Sequence, residues 1–285
     1  MATQTSPTPA TFSQRNPTLL IGLILLALVV VPGVLGQFIT DPERYKILAG
    51  TPNMPPSSDH LLGTQSEGRD FLTVILLGTP NTLIIGLVGG GVAVVAGAIL
   101  GMISGYYGGM VDGLIRNTVD VGLTIPVLAI LIMIAASFPV VTPVMMGLVI
   151  ALTSWMHPTR VIRSQILSLK EREFVKLIKL SGVGSLHIIF VELMPNLIPF
   201  LAANFVNSVS SAILASIGLE VLGLGSQQTP TLGNTIYFAI TNSAMWRGLW
   251  WWWLSPIIIL IVLFLGLFLV STALDELSNP RLNRG

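Results

Sequence analysis

One segment of the chain decides its fold, residues 159–195, which read TRVIRSQILSLKEREFVKLIKLSGVGSLHIIFVELMP. Its apolar residues recur at helical spacing with basic residues between them, which predicts an amphipathic helix. These apolar residues are Ile162, Ile166, Leu169, Phe174, Leu177 and Ile178. The pattern breaks at residues 181–184, Ser-Gly-Val-Gly, and Ser185 can cap a second, short helix that ends at Pro195. We expect a partner to bind this helix–turn–helix; the alternative is a helix that lies on lipid headgroups.

The composition of the whole chain points to a membrane. Of its 285 residues, 52% are hydrophobic and only 9% are charged, whereas soluble domains carry about 25% charged residues. The mean hydropathy is +0.81. So few charges cannot cover the surface of a soluble protein of this size, so lipid must be part of the solvent. The net charge of +1 gives no indication of nucleic acid binding.

Six apolar runs flank the 159–195 segment, at residues 18–39, 80–105, 119–138, 143–157, 197–219 and 250–272. About 20 helical residues span a hydrocarbon core of about 30 Å. The predicted fold class is therefore all-α, a polytopic membrane protein of about six transmembrane helices. Its predicted parts are a disordered tail at 1–17, a retained first transmembrane anchor at 18–39, an extracytoplasmic loop at 40–79 and a core transmembrane region at 80–285 that contains the 159–195 segment.

The distribution of Lys and Arg predicts the orientation, because cytoplasmic loops of membrane proteins are enriched in these residues. If the N-terminus is cytoplasmic, ten of the 14 basic residues lie inside, and only Arg44, Lys46, Arg69 and Arg247 lie outside. This bias predicts that both termini and the 159–195 segment are cytoplasmic, and that the loop at 40–79 is extracytoplasmic.

Small residues recur every four positions along the second run, at Gly89, Ala93, Gly97, Gly101, Gly105 and Gly109. Such a stripe predicts close helix packing in lipid, and the alternative is that it lines a passage. Three charged residues follow at the same spacing, Asp112, Arg116 and Asp120. They share one face of a helix and can pair at the membrane interface, and the alternative is a role with substrate or in gating.

Four consecutive tryptophans, residues 250–253, open the last run. They point all around a helix, so an interfacial aromatic belt is the main interpretation. Stacking against a substrate is the alternative.

Motifs of enzymes are missing from the sequence. There is no Gly-Lys-Ser/Thr phosphate loop, no His-Glu-x-x-His and no Gly-x-Ser-x-Gly. Cysteine is absent, and His60, His157 and His187 lack the spacing of metal ligands. We therefore expect no catalytic residue, no metal site and no cofactor in this chain, and an energised transporter would need its motor on another subunit.

Several ordered motifs resemble one family of membrane proteins. The 159–195 segment resembles the EAA loop of permeases in binding-protein-dependent ABC importers, with Gly182 and Pro195 at the matching spacing and LSLKEREFV at 167–175. HLLGTQSEGRD (60–70), GMISGYYGGMVDGLIRNTVDVGLTIP (101–126), LEVLGLGSQQTPTLGN (219–234) and NPRL (279–282) are similar to the dipeptide/oligopeptide/nickel permeases, and closest to the second permease of each pair.

The sequence departs from the pattern of that family at several positions. Lys176, Leu177 and Ile178 stand where the family has Glu-Ala-Ala, and Gln65 stands where it has Asp. Val221 replaces a frequent Phe, beside an unusual Glu220. Lys176 thus places a positive charge where the family carries a negative one.

The resemblance implies a type I importer in the cell membrane of a prokaryote. Two homologous permeases form the path, two ATP-binding subunits hold ATP and Mg, and an extracytoplasmic solute-binding protein delivers peptides or similar solutes. It implies an ATPase-coupling loop, formed by Glu173, Lys176, Lys179, Ser181, Gly182, Val183 and Pro195. Separately, Glu220 is a candidate for the translocation path, at its outer mouth, the alternative being a solvated residue at a helix end.

Rival functions are import of oligosaccharides or metal chelates by the same machine, a stand-alone channel or secondary carrier, and an intramembrane enzyme. A channel needs no site for a motor, and the spans carry no paired catalytic groups.

Overall fold

A computed structural model of the chain describes residues 16–138, 141–226 and 228–278. Its helices, in chain order within these ranges, are α1 (Pro17–Ile39), α2 (Phe71–Tyr107), α3 (Gly109–Thr124), α4 (Val127–Ala136), α5 (Pro143–Ser154), α6 (Met156–Leu169), α7 (Glu173–Leu180), α8 (Ser185–Leu224), α9 (Leu232–Thr241) and α10 (Trp250–Ser278). The predicted all-α class is confirmed. Most of the predicted tail at 1–17 and the NPRL motif at 279–282 lie outside the described residues.

Each predicted apolar run lies on helical residues, although the lengths differ from the expectation. Among the described residues, α1, α2, α8 and α10 are long and apolar enough to cross a membrane. The consecutive helices α3 and α4 form a fifth candidate span, which is bent by 82°. Helix α5 has 12 residues and is only about 18 Å long, too short to cross the hydrocarbon core by itself.

The bend between α3 and α4 lies at Ile125-Pro126, so the apolar run at 119–138 is not one continuous helix as expected. Ile125 has an extended backbone, with φ −80° and ψ 134°, as a residue that precedes proline prefers. Pro126 then stands at the N-cap of α4. The path of the chain therefore turns sharply where the sequence showed only continuous apolar character.

Pro195 does not end a short helix, which corrects a second prediction. Helix α8 continues from Ser185 to Leu224, with a π-helical stretch at Ile188–Leu193 directly before this proline. In that stretch Met194 N–H donates to the carbonyl of Ile189, five residues back. This wider turn changes the hydrogen-bonding register near the proline, so the helix can pass through it.

Helix α2 begins at Phe71 rather than at residue 80, so the preceding loop comprises residues 40–70. The Asp70 carboxylate accepts a hydrogen bond from Thr73 N–H (3.0 Å) and thereby caps the helix. The same carboxylate contacts His60 Nδ1 at 2.8 Å. Backbone hydrogen bonds such as Leu48 N–H to Glu67 O (2.8 Å) close the loop into a small ordered structure.

The stripe of small residues packs α2 against other helices, which supports the packing interpretation. A Cβ placed on Gly97 would stand 2.6 Å from Pro158 Cβ, and one on Gly105 would stand 2.8 Å from Ile166 Cβ. Both of these neighbours belong to α6. Gly109 lies beyond the end of α2, in α3, so the stripe is shorter than predicted.

The tryptophans at 250–253 are not a uniform interfacial belt. Trp252 is fully buried and Trp251 is nearly so, in an apolar cluster with residues of α1, α2, α8 and α9. The indole N–H of Trp251 donates to Thr64 O in the loop (3.3 Å). Trp250 is about half exposed. Two of the four side chains therefore build the core and hold the loop, which the sequence did not indicate.

A second apolar cluster fixes the 159–195 segment to the rest of the protein. It joins Met102 of α2, Ile162 and Ile166 of α6, Val175 of α7 and Ile189 of α8, all of them buried. The amphipathic pattern of α6 is thus explained by packing against protein, and α6 is not a helix that rests only on lipid.

Candidate functional site

The 159–195 segment forms two helices followed by an exposed turn. Helix α6 ends at Leu169, a turn at residues 170–172 separates it from α7, and α7 ends at Leu180. The sequence predicted a single helix up to the turn at 181–184, so the break at 170–172 is an additional feature. It allows α7 to leave the direction of α6 while Val175 remains packed in the core.

Helix α7 displays apolar side chains that nothing in the described chain covers. Leu177 and Leu180 are 65% and 85% exposed, and Leu186 after the turn is 60% exposed. Phe174, which is also exposed, Leu177 and Leu180 recur every three residues and so share one side of α7. An exposed apolar strip of this kind favours contact with another molecule.

Gly182 gives the turn its shape. Its φ is +78°, a value that costs a residue with a side chain about 1–2 kcal/mol. No atom lies within 4 Å of the position that a Cβ would occupy on Gly182 or on Gly184. Gly182 N–H donates to Lys179 O at 3.2 Å, and Ser181 N–H donates to Leu177 O at 3.1 Å. The glycine conformation expected at this turn is present, and the space around it is open.

The structure brings most of the predicted loop residues together but not all of them. Glu173, Lys176, Lys179, Ser181 and Val183 lie on α7 or on the turn after it. Lys176 pairs with Glu171 at 3.3 Å, with both side chains exposed. Pro195 stands apart, about 15 Å further along α8 at 1.5 Å per residue. Any partner that contacts the turn therefore meets the exposed residues of Glu173–Val183, whereas Val175 stays in the buried cluster.

An ion pair that the sequence did not reveal joins α6 to α3. Arg163 of α6 donates from Nε and Nη2 to the two carboxylate oxygens of Asp112 in α3, at 2.5 and 2.6 Å. The hydroxyl of Ser104 in α2 donates to the same carboxylate at 2.6 Å. The hydrogen bonds that Arg163 makes with Asp112 raise the pKa of its guanidinium above the usual value. Three helices meet at one carboxylate.

The sequence predicted that Asp112, Arg116 and Asp120 pair along one helix, and this is wrong. Asp112 pairs with Arg163, and Asp120 pairs with Arg160 at 3.4 Å, so both carboxylates bind arginines of α6. Residues Asp112 and Arg163 are 51 positions apart. Helical spacing identifies neighbours within a helix only, so nothing in this single sequence singled out the tertiary pair.

Glu220 does not line an open passage in this conformation. Its side chain is 1% exposed and lies at the start of a π-helical stretch at the end of α8. A Cβ on Gly225 would stand 2.8 Å from Glu220 Cγ, and Gly233 at the start of α9 also contacts this side chain. The alternative, a solvated residue at a helix end, is wrong because the side chain is buried, whereas the assignment of Glu220 to the translocation path stays a prediction. Glu220 fills space between α8 and α9.

Comparison with known proteins decides the family. Residues 97–284 match the family described as the binding-protein-dependent transport system inner membrane component. That range contains the end of α2, the Asp112–Arg163 pair and the whole 159–195 segment. The chain belongs to this family. It is a multi-pass membrane component of a transport system, as the predicted resemblance indicated.

Individual relatives of this permease carry names that agree with the family. The chain is 31% identical to the dipeptide transport system permease protein DppC of Haemophilus influenzae. The match extends over 257 residues, which are 81% of this chain and 84% of the relative. The chain is 30% identical over 216 residues, 75% of this chain and 67% of the relative, to the protein of the same name from Bacillus subtilis. A third protein of that name, from Alkalihalophilus pseudofirmus, is 30% identical over 229 residues, 79% of this chain and 74% of the relative.

The family match leaves α1, the loop at 40–70 and the first part of α2 outside its range. In this permease those parts are joined to the rest by packing. Gly22 of α1 lies against Val270 of α10, and Gly36 lies against Leu76 of α2. Trp251 binds the loop. The first helix is therefore an integral part of the folded permease.

Proposed function

We propose that this permease forms half of the translocation path of a type I ABC importer in a prokaryotic cell membrane. In this proposal it pairs with a second homologous permease, and two ATP-binding subunits bind the 159–195 segments of the pair. An extracytoplasmic solute-binding protein delivers the solute, and membrane lipid surrounds the spans. ATP and Mg belong to the ATP-binding subunits, so this chain holds no cofactor and carries no catalytic residue.

The observation that carries the proposal is the exposed surface of α7 and its glycine turn. Leu177, Leu180 and Leu186 are exposed beside an open turn with positive φ at Gly182. The segment is also fixed to α2 and α8 through the buried cluster around Ile166 and Val175. A surface that is open outward and rigidly packed inward suits the transfer of force from a motor subunit to the spans. A stand-alone channel or secondary carrier has no use for it.

The proposed orientation puts both termini and the 159–195 segment in the cytoplasm. The excess of Lys and Arg in those parts supports it. The loop at 40–70 and the turn before α10 then lie outside. Arg247 of that turn donates to Ser66 of the loop at 3.4 Å, so one outer surface would be available to the solute-binding protein.

For the solute we propose peptides, because the relatives are named dipeptide transport permeases. Oligosaccharides and metal chelates are the alternatives for the same machine. Nothing in the described residues groups three potential metal ligands from His, Asp and Glu, but the binding protein of such a system selects the solute, so this finding does not bear on the choice.

The test is reconstitution of the complete system in proteoliposomes. This chain, its second permease, the ATP-binding subunits and the solute-binding protein are purified together, and ATP-driven uptake of a radiolabelled dipeptide is measured. Uptake should require the binding protein and should stop when this chain is omitted. Uptake without the binding protein or without ATP would overturn the proposal. Uptake of a labelled oligosaccharide or of a chelated metal in place of the dipeptide would replace the solute class only.

A further inference from the structure

The Asp112 carboxylate connects three separate helices at a partly buried position. It accepts hydrogen bonds from Arg163 of α6 and from Ser104 of α2. The Asp112 and Arg163 side chains are 16% and 21% exposed. A bidentate guanidinium–carboxylate pair is both strong and geometrically specific, and partial burial protects it from screening by salt. The pair therefore fixes the orientation of α3 relative to α6, beyond holding the two helices together.

The neighbouring ion pair of the same two helices has a different character. Asp120 and Arg160 are 3.4 Å apart, make one contact, and are 44% and 63% exposed. Exposed pairs of this kind contribute little to stability, about 0–1 kcal/mol. Arg160 and Arg163 lie within one turn of α6, so both ion pairs join an arginine of α6 to an aspartate of α3. The Asp112–Arg163 pair is bidentate and partly buried, whereas the Asp120–Arg160 pair is a single exposed contact. This makes Asp120 a matched control for Asp112.

The Asp112–Arg163 pair joins two helices, α6 and α3, that each lead to a part of the protein expected to move. Helix α6 is tied to the last turn of α2 by Lys170 Nζ, which donates to Gly105 O at 2.8 Å, and it leads through α7 to the exposed Gly182 turn. Asp112 lies in the first turn of α3, and α3 continues into the 82° bend before α4. The Asp112–Arg163 pair is thus the more buried of two charged contacts between the segment that carries the turn and the broken span.

We propose that Asp112 and Arg163 are positioning residues that make the broken span α3–α4 move as one body with the 159–195 segment. This rests on the proposed function, in which an ATPase displaces that segment. A displacement at the Gly182 turn reaches α6 through the apolar cluster and reaches α3 through the pair. Loss of the pair should leave the segment able to follow the ATPase while α3 no longer follows the segment.

A distance measurement tests the rigid connection directly. The chain has no native cysteine, so spin labels can be attached at Asn117→Cys on α3 and Ser168→Cys on α6, both of which are exposed. In the complete complex, the distance between the labels should stay the same in the nucleotide-free and ATP-bound states. With Asp112→Asn, the distribution should broaden and should differ between the two states. A distance that already changes between states in the otherwise unaltered complex would overturn the proposal.

The functional measurement separates coupling from folding. We expect Asp112→Asn to reduce dipeptide transported per ATP hydrolysed at least tenfold in complexes that still contain the ATP-binding subunits. Asp120→Asn should reduce it less than twofold. Arg163→Lys, which keeps the charge but loses the bidentate geometry, should fall between them. Unchanged transport per ATP in assembled Asp112→Asn complexes would overturn the proposal.

Loss of assembly and loss of transport have different meanings. If Asp112→Asn prevents assembly, the label distance in the otherwise unaltered complex decides the proposal by itself. If the unaltered complex shows no binding-protein-dependent transport, the proposed function has failed, whereas a state-dependent label distance in an actively transporting complex contradicts the positioning role alone.

Discussion

Gly101 of α2 and Thr159 of α6 approach so closely that a Cβ on Gly101 would stand 2.8 Å from the Thr159 carbonyl oxygen. The obstacle is backbone, which cannot rotate away as a flexible side chain would. This contact lies in the interface between α2 and α6, which fixes the 159–195 segment to the rest of the protein. A larger side chain at Gly101 therefore tests the packing of these two helices directly.

We predict that Gly101→Ala destabilises the permease by about 1–3 kcal/mol, as overpacking of a close interface does. The matched control is Gly113→Ala in α3, where the structure has no atom within 4 Å of the added carbon. That change should be neutral or stabilising by up to about 1 kcal/mol, because alanine is the better helix former. Thermal unfolding of the two purified variants in the same detergent measures the difference. Equal melting temperatures would show that α2 and α6 are not in this contact.

The proposed topology predicts opposite labelling at the two ends of the molecule. Cysteine at Ser58 of the outer loop should react with a membrane-impermeant maleimide in intact cells, and cysteine at Ser181 should react only after the membrane is opened. Both side chains are exposed. Ser58 is preferable to its neighbour Ser57, whose hydroxyl accepts a hydrogen bond from His60 N–H. The reverse labelling pattern would invert the orientation.

The tryptophans at the start of α10 should differ in their contribution to stability. Trp252→Ala removes a fully buried side chain and should cost about 3–5 kcal/mol. Trp250→Ala removes a side chain that is about half exposed and should cost less than about 1 kcal/mol. Melting temperatures of the two variants make the comparison. Similar small losses in both would restore the interpretation of an interfacial belt.

Glu220→Gln should leave the half-saturation concentration for solute uptake within about twofold of the original value. The side chain is 1% exposed and packed between α8 and α9, so it does not contact solute in this conformation, and glutamine has nearly the same shape. Uptake is measured over a range of dipeptide concentrations in the reconstituted system. A large change in half-saturation with an unchanged maximal rate would return Glu220 to the translocation path.

The sequence predicted the helices well because long apolar runs have few alternatives in lipid. The sequence-based prediction of helix ends failed at two prolines, which have opposite effects on the helix around them. Pro126 ends α3 and bends the chain, whereas Pro195 is accommodated inside α8 by the π-helical stretch before it. Proline excludes an ordinary helical hydrogen bond in both places, and the neighbouring backbone, which depends on packing, decides the outcome.

The candidate site was predictable only in part, for a related reason. The Gly182 turn was identified because positive φ leaves a local signature in sequence. The partner of Asp112 leaves none, because Arg163 comes near only after α3 and α6 have packed together. Trp250–Trp253 look alike in sequence, yet burial separates Trp252 from Trp250. Local conformation can be predicted from neighbouring residues, whereas tertiary contacts depend on how the whole chain folds.

In the proposed function the Gly182 turn couples this permease to an ATPase, and Gly182→Asp tests that coupling. The added side chain meets a φ of +78° and projects into the open space where a partner would bind. Gly248→Asp is the matched control, since Gly248 has a φ of +74° and an equally open position in the turn before α10. Both variants should insert in the membrane and pair with the second permease.

The decisive measurement is dipeptide-stimulated ATP hydrolysis and transport by the two reconstituted complexes. We predict that Gly182→Asp reduces transport at least tenfold, with the ATP-binding subunits either lost during purification or hydrolysing ATP without moving dipeptide, while Gly248→Asp retains the bound ATP-binding subunits and their basal ATP hydrolysis. Normal stimulated hydrolysis together with full transport in the Gly182→Asp complex would contradict the assignment of this turn as the coupling site.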